Sequence, residues 1–107
     1  MKKLKGTVSH RARVIEDLRA DPKLARAHLL AAMEDDDPRV FLTALRTVAE
    51  ARGMARIAQA AGVRRESLYR TLSPTGNPRL STLRAVLKAT GLRLSLQTQK
   101  SLRDWAA

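Results

Sequence analysis

The sequence has no cysteine and few aromatic residues, and both facts limit the kinds of site and fold that it can form. Without cysteine there is neither a disulfide framework nor a thiolate metal site. Phe41, Tyr69 and Trp105 are the only aromatic residues among 107. Because alanine, leucine and valine supply most of the apolar content, the composition favours close-packed helices over a sandwich of strands.

Long apolar runs and clustered catalytic residues are missing too. No run approaches the ~20 residues that span a bilayer, and no apolar stretch follows the basic start, so we expect a cytoplasmic protein without membrane contact. His10 and His28 lack companion ligands, and Ser67 lacks a histidine base in motif spacing. The sequence therefore predicts no metal, no cofactor and no enzymatic activity.

Acidic residues are scarce in the second part of the chain. The net charge is +11, and residues 38–100 hold twelve Lys/Arg but only Glu50 and Glu66 as acids. Residues 1–37 are nearly balanced, with eight Lys/Arg and seven Asp/Glu. A basic block of this kind is attracted to the phosphates of nucleic acid. A membrane surface is the alternative polyanion, but the chain is poor in aromatic residues and is not amphiphilic.

The spacing of apolar residues, together with Asp-Pro pairs that can begin helices and glycines that can end them, predicts an all-α fold of five to six helices. Asp21-Pro22 and Asp37-Pro38 each supply a cap followed by a proline at the first helical position. The predicted helices are residues 11–19, a helix from 22 to the acidic run 34–37, 38–51, 54–61, 65–72 and 80–90. In the second helix, the apolar stripe is Leu24, Ala27, Leu30, Ala31 and Met33.

Four segments are expected along the chain. Residues 1–9 are a disordered basic N-terminus, 10–37 a helical extension, 38–98 a DNA-binding domain and 99–107 a tail. The acidic run 34–37 lacks the glycine-containing spacing of a calcium loop, so it is interpreted as a helix end and cap, or as a contact to a basic partner. Trp105 is either an anchor for a partner or part of a frayed terminus.

Residues 54–72 form the most informative stretch. Two short helices joined through Gly62 are typical of a helix-turn-helix, in which the second helix enters the major groove. Leu68 and Leu72 are expected to face the core, so the polar residues of that helix face outward. The residues predicted to bind DNA are Arg56, Arg64, Arg65, Glu66, Ser67, Tyr69, Arg70 and Arg79. Arg65 is the candidate for bidentate contact to guanine.

Leu92, Leu94 and Leu96 alternate with polar residues, which predicts a short C-terminal strand. A single strand needs a partner for its backbone groups. Three partners remain open: the same strand of a second copy, a different protein, or the chain's own helices.

Residues 53–94 resemble a known protein family. The residues that carry the resemblance are Gly53-Met54, Ile57-Ala58, Gly62, Arg65–Arg70, Leu72-Ser73, Gly76–Pro78, Thr82-Leu83, Val86-Leu87 and Gly91–Leu94. With these residues, and with upstream similarity from about residue 20, the chain is similar to the probable addiction module antidote proteins. These are antitoxins with a Cro/C1-type (lambda repressor-like) helix-turn-helix.

The resemblance implies a partner, a toxin of the RelE superfamily that the antitoxin binds and neutralises. It also implies that the antitoxin, often as a homodimer, binds its own operator in double-stranded DNA and represses its operon. One departure is Ala55, where the family commonly has a polar residue able to cap the helix. Two alternatives stay open: a stand-alone Cro/C1-type repressor without a toxin, and an interaction protein that kept the fold but lost DNA binding.

Overall fold

The computed structural model describes residues 9–98, which form six α-helices and no strand. The helices are α1 (His10–Ala20), α2 (Pro22–Met33), α3 (Pro38–Arg52), α4 (Met54–Ala61), α5 (Arg65–Thr71) and α6 (Leu80–Ala89). The all-α prediction is confirmed. The expectations for residues 1–8, for the tail 99–107 and for Trp105 lie outside the described residues.

Aspartate-proline pairs begin two of the helices, as the sequence predicts. The carboxylates of Asp21 and Asp37 each accept a hydrogen bond from the backbone N–H two residues on, at 3.0 and 2.9 Å. Pro22 and Pro38 then occupy the start of α2 and α3, where a missing N–H costs nothing. Local chemistry thus fixes where both helices begin.

Helix α3 is the centre of the fold. It packs against α1 and α2 on one side and against α4 on the other, while α4 also contacts α5 and α6. Leu45, Val48 and Ala49 of α3 are fully buried. The other helices and the residue that ends α5 contribute further core residues: Leu18, Ala25, Leu29, Ala32, Met54, Ile57, Ala58, Leu68, Leu72, Val86 and Leu87.

Polar contacts also tie α1 to α3. The Arg11 guanidinium pairs with Glu50 and donates to the Thr47 hydroxyl at 3.1 Å. Arg19 donates through Nε to the carbonyl of Ala51 at 3.3 Å. The first helix therefore lies on the same core as the rest.

The orientation of α2 differs from the sequence-based prediction. Its buried residues are Ala25, Leu29 and Ala32. The predicted apolar stripe points away from the core: Leu24, Ala27, Leu30, Ala31 and Met33 are all exposed. Because α2 is apolar on both sides, periodicity alone could not tell which side is buried, and the smaller alanines permit the closer approach to α3.

The predicted C-terminal strand is not observed. Residues 92–98 belong to no strand, and Leu94 and Leu96 are exposed, whereas Leu92 is half-buried against the core. The Leu92 N–H donates to the carbonyl of Leu87 at 2.9 Å, which closes the end of α6. No other strand exists within residues 9–98, so this segment has no ladder partner within the described part of the chain. None of the helices there combines the length and apolarity needed to cross a bilayer.

Candidate nucleic-acid interface

The turn between α4 and α5 is built on Gly62. Gly62 has φ 72° and ψ 28°, in the left-handed region that residues with a Cβ avoid. The N–H of Val63 reaches back to the carbonyl of Ala58 at 3.0 Å, which satisfies the end of α4. Arg64 is extended and precedes the first turn of α5. Three residues, 62–64, are enough to reverse the chain between the two helices.

Two leucines hold α5 against the core and so decide what it presents to solvent. Leu68 is buried within the helix and Leu72 is buried at its end, both with no exposed surface. The residues between them necessarily face outward or sideways. Of the eight residues predicted to bind DNA, six are exposed: Arg56, Arg64, Arg65, Glu66, Arg70 and Arg79. Ser67 and Tyr69 are half-buried.

Tyr69 lies between two arginines. The guanidinium carbon of Arg65 is 5.7 Å from the ring centroid, and that of Arg46 is 5.5 Å from it. Such contacts are favourable because the ring face carries negative charge, and each contributes on the order of 0.5–1 kcal/mol at an exposed site. Tyr69 therefore braces Arg65 at the start of α5 and links α5 to α3.

Sequence reasoning missed Arg46. It lies on α3, between the buried residues Leu45 and Thr47, and its Nε is buried without a hydrogen-bond partner among residues 9–98. Buried polar groups without partners are rare and costly. The one signal in the sequence is a charged residue within the otherwise uncharged run 44–49, but nothing in that run points to Tyr69.

The arginines around α5 carry uncompensated charge. The ion pairs observed within residues 9–98 join Arg11 to Glu50, Arg19 to Glu16 and Arg39 to Asp37, all in the first three helices. Glu66 is the single acidic residue between residues 51 and 98. The surface around α5 is therefore basic, as contact with phosphates requires.

The loop after α5 leads to Arg79, the last of the residues predicted to bind DNA. Two hydrogen bonds make this loop tight. The N–H of Gly76 donates to the carbonyl of Ser73 at 2.8 Å, and the Ser73 hydroxyl donates to the carbonyl of Arg70 at 2.8 Å. Arg79 then precedes the first turn of α6 and is exposed.

Capping of α4 bears on the departure at Ala55. No side chain caps α4; Gly53 precedes it with φ 101°, and the carbonyl of Gly53 accepts from the N–H of Ile57 at 3.0 Å. The backbone of Gly53 therefore begins the helix, and a polar side chain at residue 55 is not required for that bond.

The histidines and acidic residues of the described part of the chain are not gathered into one site. No group of three or more His, Asp or Glu side chains lies close enough there to hold a metal ion. Burial lowers the pKa of His28 below its ordinary value, which favours the neutral imidazole.

Comparison with known proteins identifies the family of the chain. An uncharacterized protein of Haemophilus influenzae is 40% identical over 88 residues, which make up 82% of this chain and 88% of that protein. No solved structure matches the chain. Residues 10–98 match the family described as probable addiction module antidote protein, so the match begins about ten residues before the similarity noted in the sequence and includes α1. The chain therefore belongs to the probable addiction module antidote protein family.

Proposed function

We propose that this protein is the antitoxin of a toxin–antitoxin module. It binds and neutralises a toxin of the RelE superfamily, and it represses its own operon by binding operator DNA. The family supports the antitoxin role. The observation that carries the DNA-binding role is the exposed, unpaired set of arginines on and around a short helix that two buried leucines hold in place.

In this proposal α4 and α5 form a Cro/C1-type helix-turn-helix, and α5 lies in the major groove. Arg65, near the start of α5, grips guanine in bidentate fashion, and Glu66 accepts from cytosine. Arg70, Ser67 and Tyr69 contact base edges or phosphates further along. Arg56, Arg64 and Arg79 contact phosphates on either side of the groove.

A repressor of this kind acts as a homodimer, because two half-sites about one helical turn apart need two recognition helices. The exposed Leu94 and Leu96, with Leu92 beside them, are the proposed contact to a second copy or to the toxin. Since its target is the operator, we propose that the protein acts in the cytoplasm.

The test is binding to DNA from the promoter region of the protein's own gene, compared with DNA of random sequence. Arg65→Ala removes the guanidinium that makes the bidentate contact to guanine. Such a contact contributes about 1–3 kcal/mol, so we expect affinity for the operator to fall roughly 5- to 150-fold. Arg65→Lys keeps the charge but not the bidentate contact, so we expect specificity to fall while the salt dependence is kept. Fluorescence anisotropy at several salt concentrations measures both.

Two further variants serve as controls. Arg64→Ala is expected to weaken binding to all DNA alike and to reduce the salt slope by about one. Arg13→Ala, an exposed arginine on α1, is expected to change neither quantity beyond its small effect on net charge. Equal operator affinity for Arg65→Ala and Arg13→Ala would show that α5 does not read the operator.

A further inference from the structure

Exposed large apolar side chains concentrate around α2. Within residues 9–98, Leu30 and Met33 on α2 are 49% and 58% exposed, and Leu94 opposite them is 42% exposed. Leu24 is also exposed, but helical geometry places it on the other side of α2. A helix that is apolar on both sides normally has both sides covered. Single exposed apolar residues need no explanation, but a contiguous group of them marks an interaction surface.

Beside these residues runs a groove between α2 and the segment 92–97. Leu30 and Met33 line one wall and Leu94 the other, and the volume is about 330 Å³. Phe41, Leu87 and Leu92 contribute apolar surface to it. A groove of this kind receives an apolar side chain or helix edge from a partner.

Two arginines, Arg26 and Arg93, line the groove, but the turn that directly follows Met33 at its edge is acidic. Glu34, Asp35 and Asp36 follow Met33 directly and are all exposed. None of the three takes part in an ion pair within residues 9–98. Residues 10–37 hold seven acidic and five basic residues, whereas residues 38–98 hold two acidic and eleven basic residues.

We infer that Leu30, Met33, Leu94 and the acidic turn 34–36, here named the α2 face, form the docking surface for the toxin. This inference rests on the proposed function. The family resemblance implies that the toxin is a small ribonuclease, and a protein that binds RNA carries a basic surface because it must attract phosphates. The acidic turn complements that surface, and the apolar groove supplies the dry centre that a stable interface needs.

A second copy of the chain fits the α2 face less well. A two-fold contact centred on Met33 brings the acidic turn of one copy close to that of the other, because such a contact pairs the same patch with itself. Like charges facing each other at an interface oppose association. A basic partner has no such penalty.

The location also separates the two proposed activities. Helix α2 packs on α1 and α3, whereas α5 packs on α4. A toxin on the α2 face therefore leaves the arginines of α5 exposed, and operator binding serves as an independent readout of folding.

The first experiment measures binding of the ribonuclease-like protein encoded beside this gene, purified after co-expression and separated under denaturant. Leu30→Asp puts a charge into the proposed dry centre, and we expect affinity for that protein to fall at least about tenfold. Operator affinity and the unfolding midpoint should stay at wild-type values. Leu80→Asp, which changes a leucine 63% exposed at the start of α6, is the matched control and should retain toxin binding.

The outcomes separate the inference from the function on which it rests. Wild-type affinity for the toxin in Leu30→Asp would overturn the α2 face and leave the antitoxin role intact. If the wild-type chain itself fails to bind the neighbouring protein, the antitoxin role fails, and the docking surface fails with it.

The absence of cysteine allows a second, direct measurement. An environment-sensitive dye on Leu30→Cys should shift its emission when toxin is added, and the same dye on Leu80→Cys should not. A shift at residue 30 that follows protein concentration without toxin would assign the α2 face to a second copy. A shift in the free protein that disappears on removal of residues 99–107 would assign it to the chain's own tail. Either result overturns the inference.

Discussion

Gly62 illustrates how one residue fixes the geometry of the interface. Its φ of 72° is unfavourable for an L-residue, and a Cβ built there meets no heavy atom within 4 Å. The cost of Gly62→Ala is therefore conformational alone, and we expect a loss of about 1 kcal/mol in the free energy of unfolding. Urea denaturation should show a lower midpoint with an unchanged slope.

Asparagine provides the control, because it tolerates the left-handed region better than alanine. Gly62→Asn should lose less stability than Gly62→Ala, and the reverse order would contradict the assigned conformation. Gly76 is constrained differently: a Cβ there would lie 2.6 Å from the carbonyl carbon of Thr71. At that position close approach, and not φ, requires glycine.

Arg46 shows the limit of sequence reasoning at this scale. Arg65 and Tyr69 lie four residues apart on one helix, so a shared surface was predictable from helical spacing. Arg46 reaches the same ring from α3, and only the packing of α5 against the core brings it there. The exposure of the α5 arginines could be predicted from the two leucines opposite them. The contact between Arg46 and Tyr69 could not, because it depends on tertiary structure.

At the scale of elements, helix ends were easier to predict than helix faces. The start of α2 and α3 and both ends of α4 follow from aspartate, proline and glycine, whose effects are local. The prediction of which side of α2 is buried was wrong. Both sides are apolar, and packing against α3 determines which of them is buried. The strand at 92–96 was wrong because alternation describes a strand only when a partner is available.

Asp37, which caps α3, gives this helix a predictable response to acid. The hydrogen bond from the Arg39 side chain, followed by that from the Arg39 backbone, lowers the pKa of Asp37 below its ordinary value of 3.8. The charged form is thus favoured in the folded state, and its contribution is present above pH 3.8 and is lost as pH falls through the lowered pKa.

Asp37→Asn keeps a capping side chain but does not titrate. We therefore expect the stability of the wild type to fall more steeply than that of this variant as the pH falls below 3.8, the ordinary pKa of aspartate. Unfolding midpoints measured by circular dichroism across that range test the difference. Parallel curves would mean that Asp37 has the same pKa in both states.

At the scale of the whole molecule, the first two helices share a core with the rest. Leu18, Ala25, Leu29 and Ala32 are buried in the same cluster as the interior of α3. A fragment of residues 38–107 would expose one side of α3, so we expect it to lose cooperative thermal unfolding and operator binding. A fragment that still melts cooperatively and binds operator would show that residues 10–37 are a dispensable extension.

The central position of α3 has a consequence for regulation. It touches α2, where the toxin is proposed to dock, and through Arg46 it touches Tyr69, which braces the proposed DNA-reading helix. Any free energy that toxin binding adds to or removes from operator binding must appear in equal amount when the order of binding is reversed. Under the proposed function, a value of this free energy other than zero would make the amount of free toxin change the occupancy of the promoter, and with it the transcription of the antitoxin.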